Sequence, residues 1–162
     1  MLFSVPPKSA AVRDPSVLLY VQDGDASGYM SEAHFDHVGI AVSNTDEVVK
    51  RYVDGLGAKI IFLKKKDPIW NFLWTQIEYA GLKLEFMEPV GEGFLKSFIT
   101  KRGEGVHHLT FHVSDIAQVI AGLEKKGFRV VDKMMQEDYK TAFLSPKSTN
   151  GVLIQFIEKR PS

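Results

Sequence analysis

The sequence predicts an α+β fold of two paired βαβββ modules, forming a curved, partly open barrel-like sheet around a metal or ligand cavity. Three observations lead there. His37-Val38-Gly39-Ile40-Ala41-Val42-Ser43 recurs 71 positions later as His108-Leu109-Thr110-Phe111-His112-Val113-Ser114. Each copy is followed by a helical stretch that stops at a glycine, Gly57 or Gly127, and then by an apolar β-like run. Finally, Leu84-Glu85-Phe86-Met87-Glu88 is answered 70 positions later by Ile154-Gln155-Phe156-Ile157-Glu158.

Residues 1–34 stand outside the repeat. Pro6-Pro7, Pro15 and Asp23-Gly24-Asp25 make them loop-like, with one strand-like run at 16–22. They read equally as a genuine extension, an edge strand or upstream sequence. Met30-Ser31-Glu32 resembles a natural start just ahead of the first repeat.

The first module covers 35–89. Val38, Ile40 and Val42 alternate with His37, Gly39 and Ala41, the period of a half-buried strand with two different faces. Ser43, Asn44 and Thr45 offer helix N-caps, and Val48, Val49, Tyr52, Val53 and Leu56 recur at helical spacing. Gly57 then supplies the stop. A strand at 59–63 follows, then a hairpin of 71–79 with 82–88 turning at Ala80-Gly81. A two-residue loop sets Tyr79 opposite Leu82 and therefore Gln76 opposite Glu85, with Phe72 and Trp74 on the same side. The connecting segment, 90–103, holds a short helix at 94–101. The second module, 104–159, repeats the order: a strand at 108–113, a helix at 116–126 capped by Ser114 or Asp115, a strand at 129–133, and a hairpin of 140–144 with 152–158. Neither four-stranded sheet buries its face alone, which favours pairing around a shared cavity.

Composition narrows the function classes. Twenty basic and twenty acidic residues cancel, leaving no net field to hold a nucleic acid or an anionic membrane, and Lys64-Lys65-Lys66 and Lys125-Lys126 read as solvated faces. With no cysteine, disulfides, thiolate zinc sites and thiol nucleophiles are excluded, so any metal sits on nitrogen and oxygen. The run Val17-Leu18-Leu19-Tyr20-Val21 is too short to span a bilayer and lacks the flanks of a secretory signal. A cytoplasmic protein with a small-molecule substrate is the expectation.

The repeat yields two matched pairs, His37 with His108 and Glu85 with Gln155. A histidine opening an apolar strand is ordinarily a structural residue. Glu85 and Gln155 are less ordinary, because each lies between apolar neighbours and alternation turns it to the opposite face. If that face meets solvent, four polar residues need no explanation. If it lines a cavity, an unpaired glutamate is costly and a cation satisfies it. Two imidazoles, a carboxylate and an amide oxygen suit a divalent ion: Zn, Ni, Co, Mn or Fe. With one negative charge from Glu85 the site keeps net positive charge, which suits a carbonyl becoming an enolate.

Three segments carry a resemblance to a known family. They are Asp36-His37-Val38-Gly39-Ile40-Ala41-Val42, Gly103-Glu104-Gly105-Val106-His107-His108-Leu109, and Pro146-Lys147-Ser148 with Gly151-Val152-Leu153-Ile154. From about 35 to 158 the chain resembles the vicinal oxygen chelate superfamily of glyoxalases, extradiol dioxygenases and bleomycin resistance proteins, and is most similar to its methylmalonyl-CoA epimerase branch. The resemblance implies a divalent metal held by His37, Glu85, His108 and Gln155. It selects His108 over His107, which would point oppositely as a structural residue. It also implies a departure, since epimerase-like sequences carry at position 155 a glutamate that serves as a general base, and Gln155 accepts no proton usefully. His112, where those sequences commonly carry glutamate, is then either a replacement acid or base or a pocket histidine.

The leading expectation is a metal-dependent isomerase or lyase that forms an enolate from a carbonyl substrate, with Glu85 and then His112 moving the proton and Phe72, Trp74, Gln76 and Thr110 lining the pocket. The rivals are a non-catalytic antibiotic-binding protein of bleomycin-resistance type, using Phe72 and Trp74 against a flat ligand, and an iron-dependent ring-opening dioxygenase. Dimerisation within the family makes a homodimer the expected assembly.

Overall fold

The computed structural model describes residues 33–67, 69–137 and 139–159, so the strand expected at 16–22 lies outside the described residues. The first module comprises β1 (His34–Ala41), α1 (Thr45–Leu56), β2 (Lys59–Lys66), β3 (Phe72–Tyr79) and β4 (Leu82–Pro89). Helix α2 (Phe94–Arg102) connects it to β5 (Gly105–His112), α3 (Ile116–Lys125), β6 (Val130–Met135), β7 (Tyr139–Leu144) and β8 (Ile154–Lys159).

All eight strands form one mixed sheet in the order β2-β3-β4-β1-β5-β8-β7-β6. Antiparallel pairing of β1 with β5 joins the modules, while β1 with β4 and β5 with β8 are parallel pairs within them. The helices make those parallel pairs possible, because the chain must cross over to run the same way twice. Among the described residues the sheet does not close into a barrel, and β2 and β6 are its edges.

The starts of α1 and α3 are each set by a side chain, whereas α2 begins after Gly93 with no side-chain cap. Asn44, in extended conformation, accepts from the amides of Asp46 and Glu47, and Asp115 accepts from that of Gln118. Gly57 ends α1 in the left-handed region, at φ 71. The last glutamate of each repeat adds a long-range tie. Glu88 Oε2 accepts from the Thr45 amide and Glu158 Oε2 from the Ile116 amide, both at 2.8 Å. Strand end and helix start are therefore coupled alike in both modules. The hairpin turns where expected, with Ala80 at φ 51 and Gly81 at φ 79, and sets Gln76 opposite Glu85.

Alternation then divides the residues between two faces. On one face Val42, Val49, Ile77 and Phe86 pack in the α1 half, and Val113, Ile116, Val119, Leu123 and Phe156 in the α3 half. Burying a side chain such as Phe86 contributes about 1.5–3 kcal/mol. On the other face Ala41, Phe72 and Met87 pack with Leu95 of α2, which covers one end of the concave surface. The central strands break step twice. Phe35 pairs with Phe111 but His37 with Thr110, making Asp36 an extra residue; Gly39 pairs with His108 but Ile40 with Val106, making His107 another.

Candidate active site

A cavity of about 720 Å³ occupies the concave face, of a size that accommodates a small-molecule ligand. The four central strands each supply one of the four repeat-matched residues to it: His37 from β1, Glu85 from β4, His108 from β5, alongside its neighbour His107, and Gln155 from β8. All four are buried. Met87, Phe72 and Trp74 wall one side, Tyr139, Phe143 and Ile157 the other, and Phe94 and Phe98 of α2 contribute with Trp70. A second hollow of about 560 Å³ adjoins it, sharing Phe94, Phe98, His107 and His108 and reaching Lys101 and Arg102.

The polar residues form a connected network. His37 Nδ1 lies 2.7 Å from Asp36 Oδ1, and its Nε2 lies 3.0 Å from Thr110 Oγ1 and 3.7 Å from Glu85 Oε1. Thr110 donates to Gln155 Oε1 at 2.8 Å, and Gln155 Nε2 donates to Thr141 Oγ1 at 3.0 Å. The His37 and His108 ring centres are 5.7 Å apart. His108 lies flat over Gly39, where a Cβ would sit 2.3 Å from its Cε1, so the absent side chain is the space the imidazole occupies.

Burial holds His108 well below the usual histidine range, helped by His107 and His37. It likewise lowers His107 to about 4, with Arg102 adding to the effect. The Tyr139 phenol is pushed up by burial and by the carboxylates of Glu85, Asp67 and Asp36, against a hydrogen bond with Thr141 that draws it down. His107, His108 and Tyr139 are thus neutral side chains of the second half, where Asp132 of β6 also lines the cavity.

Hydrogen counting tests whether a cation fits. A carboxylate only accepts, so Asp36 requires the hydrogen of His37 at Nδ1 and leaves Nε2 with a lone pair. The single hydroxyl hydrogen of Thr110 then faces two acceptors, Gln155 Oε1 and His37 Nε2, with Glu85 Oε1 close by. Two acceptors thus converge on one hydroxyl hydrogen, lone-pair chemistry that suits a proton or a cation. The donors are not, however, already closed around one point: among the described residues no three His, Asp or Glu side chains form a ready ligand group.

Several expectations need correction. His107 does not point away from the cavity but lines it, because the extra residue in β5 rotates it out of strict alternation. His112 has the right parity, but four residues is about 13 Å along a strand, and it pairs with His34 outside the cavity lining. Gln76 opposes Glu85 as expected yet does not line the cavity, having Phe62 of β2 as its other register partner. Thr110 is fully buried within the polar network and does not line the cavity wall. Phe72 and Trp74 do line it. Tyr139 was missed; its only sequence signal is a polar-tipped aromatic beside the expected final hairpin.

A profile of the family described as the glyoxalase/bleomycin resistance protein/dioxygenase superfamily matches residues 36–143. A hypothetical protein from Bacillus halodurans C-125 has a solved structure 31% identical, with TM-score 0.73, covering 80% of this chain and 96% of that one. The methylmalonyl-CoA epimerase of Mycobacterium tuberculosis is 28% identical, with TM-score 0.69, covering 78% and 88%. The ethylmalonyl-CoA/methylmalonyl-CoA epimerase of Cereibacter sphaeroides is 29% identical over 126 residues, covering 74% of this chain and 93% of its own.

Proposed function

Because the chain belongs to the glyoxalase/bleomycin resistance protein/dioxygenase superfamily, we propose that it is an isomerase-type enzyme that moves a proton on the carbon next to a carbonyl. One observation carries the reading: the duplicated central strands deliver the buried side chains of His37, Glu85, His108 and Gln155 into one cavity, where His37 Nε2 and Gln155 Oε1 converge on the Thr110 hydroxyl. The epimerase names of the relatives support it. A divalent ion held by these four residues would polarise the carbonyl and favour the enolate.

The chain's own residues supply the rest. Glu85, the only carboxylate among the four, takes the proton from the carbon; a proton delivered to the opposite face of the planar enolate completes the isomerisation, while return from Glu85 regenerates the starting configuration. Thr110 and Thr141 hold the Gln155 amide, so that its oxygen stays on the Thr110 side. Tyr139 presents a hydrogen-bond donor to the developing charge. The aromatic walls exclude water from the enolate. We assign the substrate as an acyl thioester of the kind in the relatives' names: the adjoining hollow, with Lys101 and Arg102, has room and charge for an anionic extension.

Purified protein without a histidine tag is expected to bind one equivalent of zinc or cobalt. It should also exchange solvent deuterium into the carbon beside the thioester carbonyl. The isosteric Glu85→Gln change is expected to lower that exchange about 10²–10⁴-fold; full exchange by the variant would defeat the mechanism. A second reading, sequestration of a flat ligand without catalysis, draws support from Trp70, Trp74, Phe94 and Phe143 around the cavity. Ligand binding with no metal and no exchange would select it.

A further inference from the structure

We propose that Asp36 and His107, the extra residues of β1 and β5, are positioning residues that fix the ring hydrogens of His37 and His108 at Nδ1 and leave each Nε2 as the electron-pair donor. The inference deepens the metal-binding reading above and rests on it for its consequence, though not for its geometry.

In a regular strand neighbouring side chains point to opposite faces and do not meet. Here two neighbouring pairs do. Asp36 Oδ1 is 2.7 Å from His37 Nδ1, and His107 Nδ1 is 2.9 Å from His108 Nδ1. The register of β1 against β5 explains both. Each strand carries one surplus residue immediately before its cavity histidine, and the bulge turns that residue toward the histidine's side. Positions 36 and 107 are equivalent in the repeat, yet one holds a carboxylate and the other an imidazole. What duplication has kept is the backbone device that brings a side chain to Nδ1, with two chemistries mounted on it.

The two chemistries act differently. Asp36 accepts only, so it admits one hydrogen placement on His37. Between the two Nδ1 atoms of His107 and His108 there is room for one hydrogen, which either ring can hold. For His108 to offer Nε2, its own Nδ1 carries the hydrogen and His107 accepts, keeping its hydrogen at Nε2. The His107 ring packs 4.8 Å from the centre of Phe98 and 5.6 Å from that of Phe94, which holds its Nδ1 edge toward His108. A metal-bound histidine ordinarily donates its second ring nitrogen to such a partner, and loss of the partner weakens metal binding about 10–100-fold.

Nitrogen NMR of the full chain with labelled histidine, free of metal, reads the hydrogen placement directly. His37 and His108 are expected with hydrogen at Nδ1, and His107 with hydrogen at Nε2. In Asp36→Leu, His37 should shift to the Nε2–H form and the zinc dissociation constant should rise at least about tenfold. Asp36→Asn, which keeps an oxygen acceptor, should restore the wild-type tautomer. His107→Phe keeps the ring packing and should shift His108 alone, which maintains the test should Asp36→Leu fail to fold. A wild-type His37 with hydrogen at Nε2, or an unchanged His108 in folded His107→Phe, overturns the proposal. A wild-type chain that binds no zinc overturns the functional reading instead, and the tautomer spectra then decide the positioning roles by themselves.

Discussion

The two halves of the cavity share a backbone plan and differ in charge. On the β1 and β4 side, Asp36 and Glu85 flank His37; on the β5 and β8 side, the equivalent positions carry His107 and Gln155 around His108. At these matched positions the first half holds acids and the second a histidine and an amide, with burial drawing His107 and His108 below the usual histidine range. Duplication therefore preserved the geometry while, at the matched positions, the carboxylates stand in the first module. A symmetric frame does not imply symmetric chemistry.

That asymmetry is most directly broken by exchanging its carboxylate. Beyond the loss expected for Glu85→Gln, the double change Glu85→Gln with Gln155→Glu should move the base to the other side and recover roughly tenfold of the deuterium exchange, with reversed stereochemistry at the labelled carbon. Chiral analysis of the product checks this, and unchanged stereochemistry would show that the two sides are not opposed.

Next in size is Gly39→Ala. Its Cβ would meet His108 at 2.3 Å, so the ring must move. The expected cost is about 1–3 kcal/mol in denaturant unfolding, together with weakened metal binding. Gly55, where a Cβ meets nothing, provides the control.

Acid should separate the halves further. His107 and His108 have folded-state values below the ordinary 6.5, so the unfolded chain binds more protons between that value and about 4. Their contribution to stability is complete above pH 6.5 and is lost as pH falls toward 4, at no more than about 1.4 kcal/mol per pH unit for each histidine. Chemical denaturation across that range measures the slope, and His107→Phe should flatten it.

The smallest expected contrast concerns the helix ties. Glu88 bonds both the amide and the hydroxyl of Thr45, whereas Glu158 bonds the Ile116 amide and is shared with Lys140. Glu88→Gln and Glu158→Gln should each cost about 1 kcal/mol. Only the Glu158 effect should depend on Lys140, as a double-mutant cycle would show.

Topology was legible because the repeat is long and its periods are regular. Alternation alone turned His37, Glu85 and Gln155 to one face, and the turn at Ala80-Gly81 set the hairpin register. Legibility ended where the period of two is interrupted. Nothing in Asp36-His37 or His107-His108 announces a surplus residue, so His107 was assigned to the wrong face and Asp36 to no role. His112 shows a second limit: parity identifies a face, not how far along it a cavity extends. Tyr139 enters through the folding of a distant hairpin, which no local pattern records.

The unclosed sheet has a consequence of its own. With its free margins in opposite modules, the structure resembles two covers bound at a spine, and the spine is the β1 and β5 seam beside His37 and His108. Trp70, between β2 and β3, and Tyr139, of β7, line the cavity from these two opposite covers. Bulky guests are thus accommodated at the margins, while the histidines at the binding stay where the backbone put them.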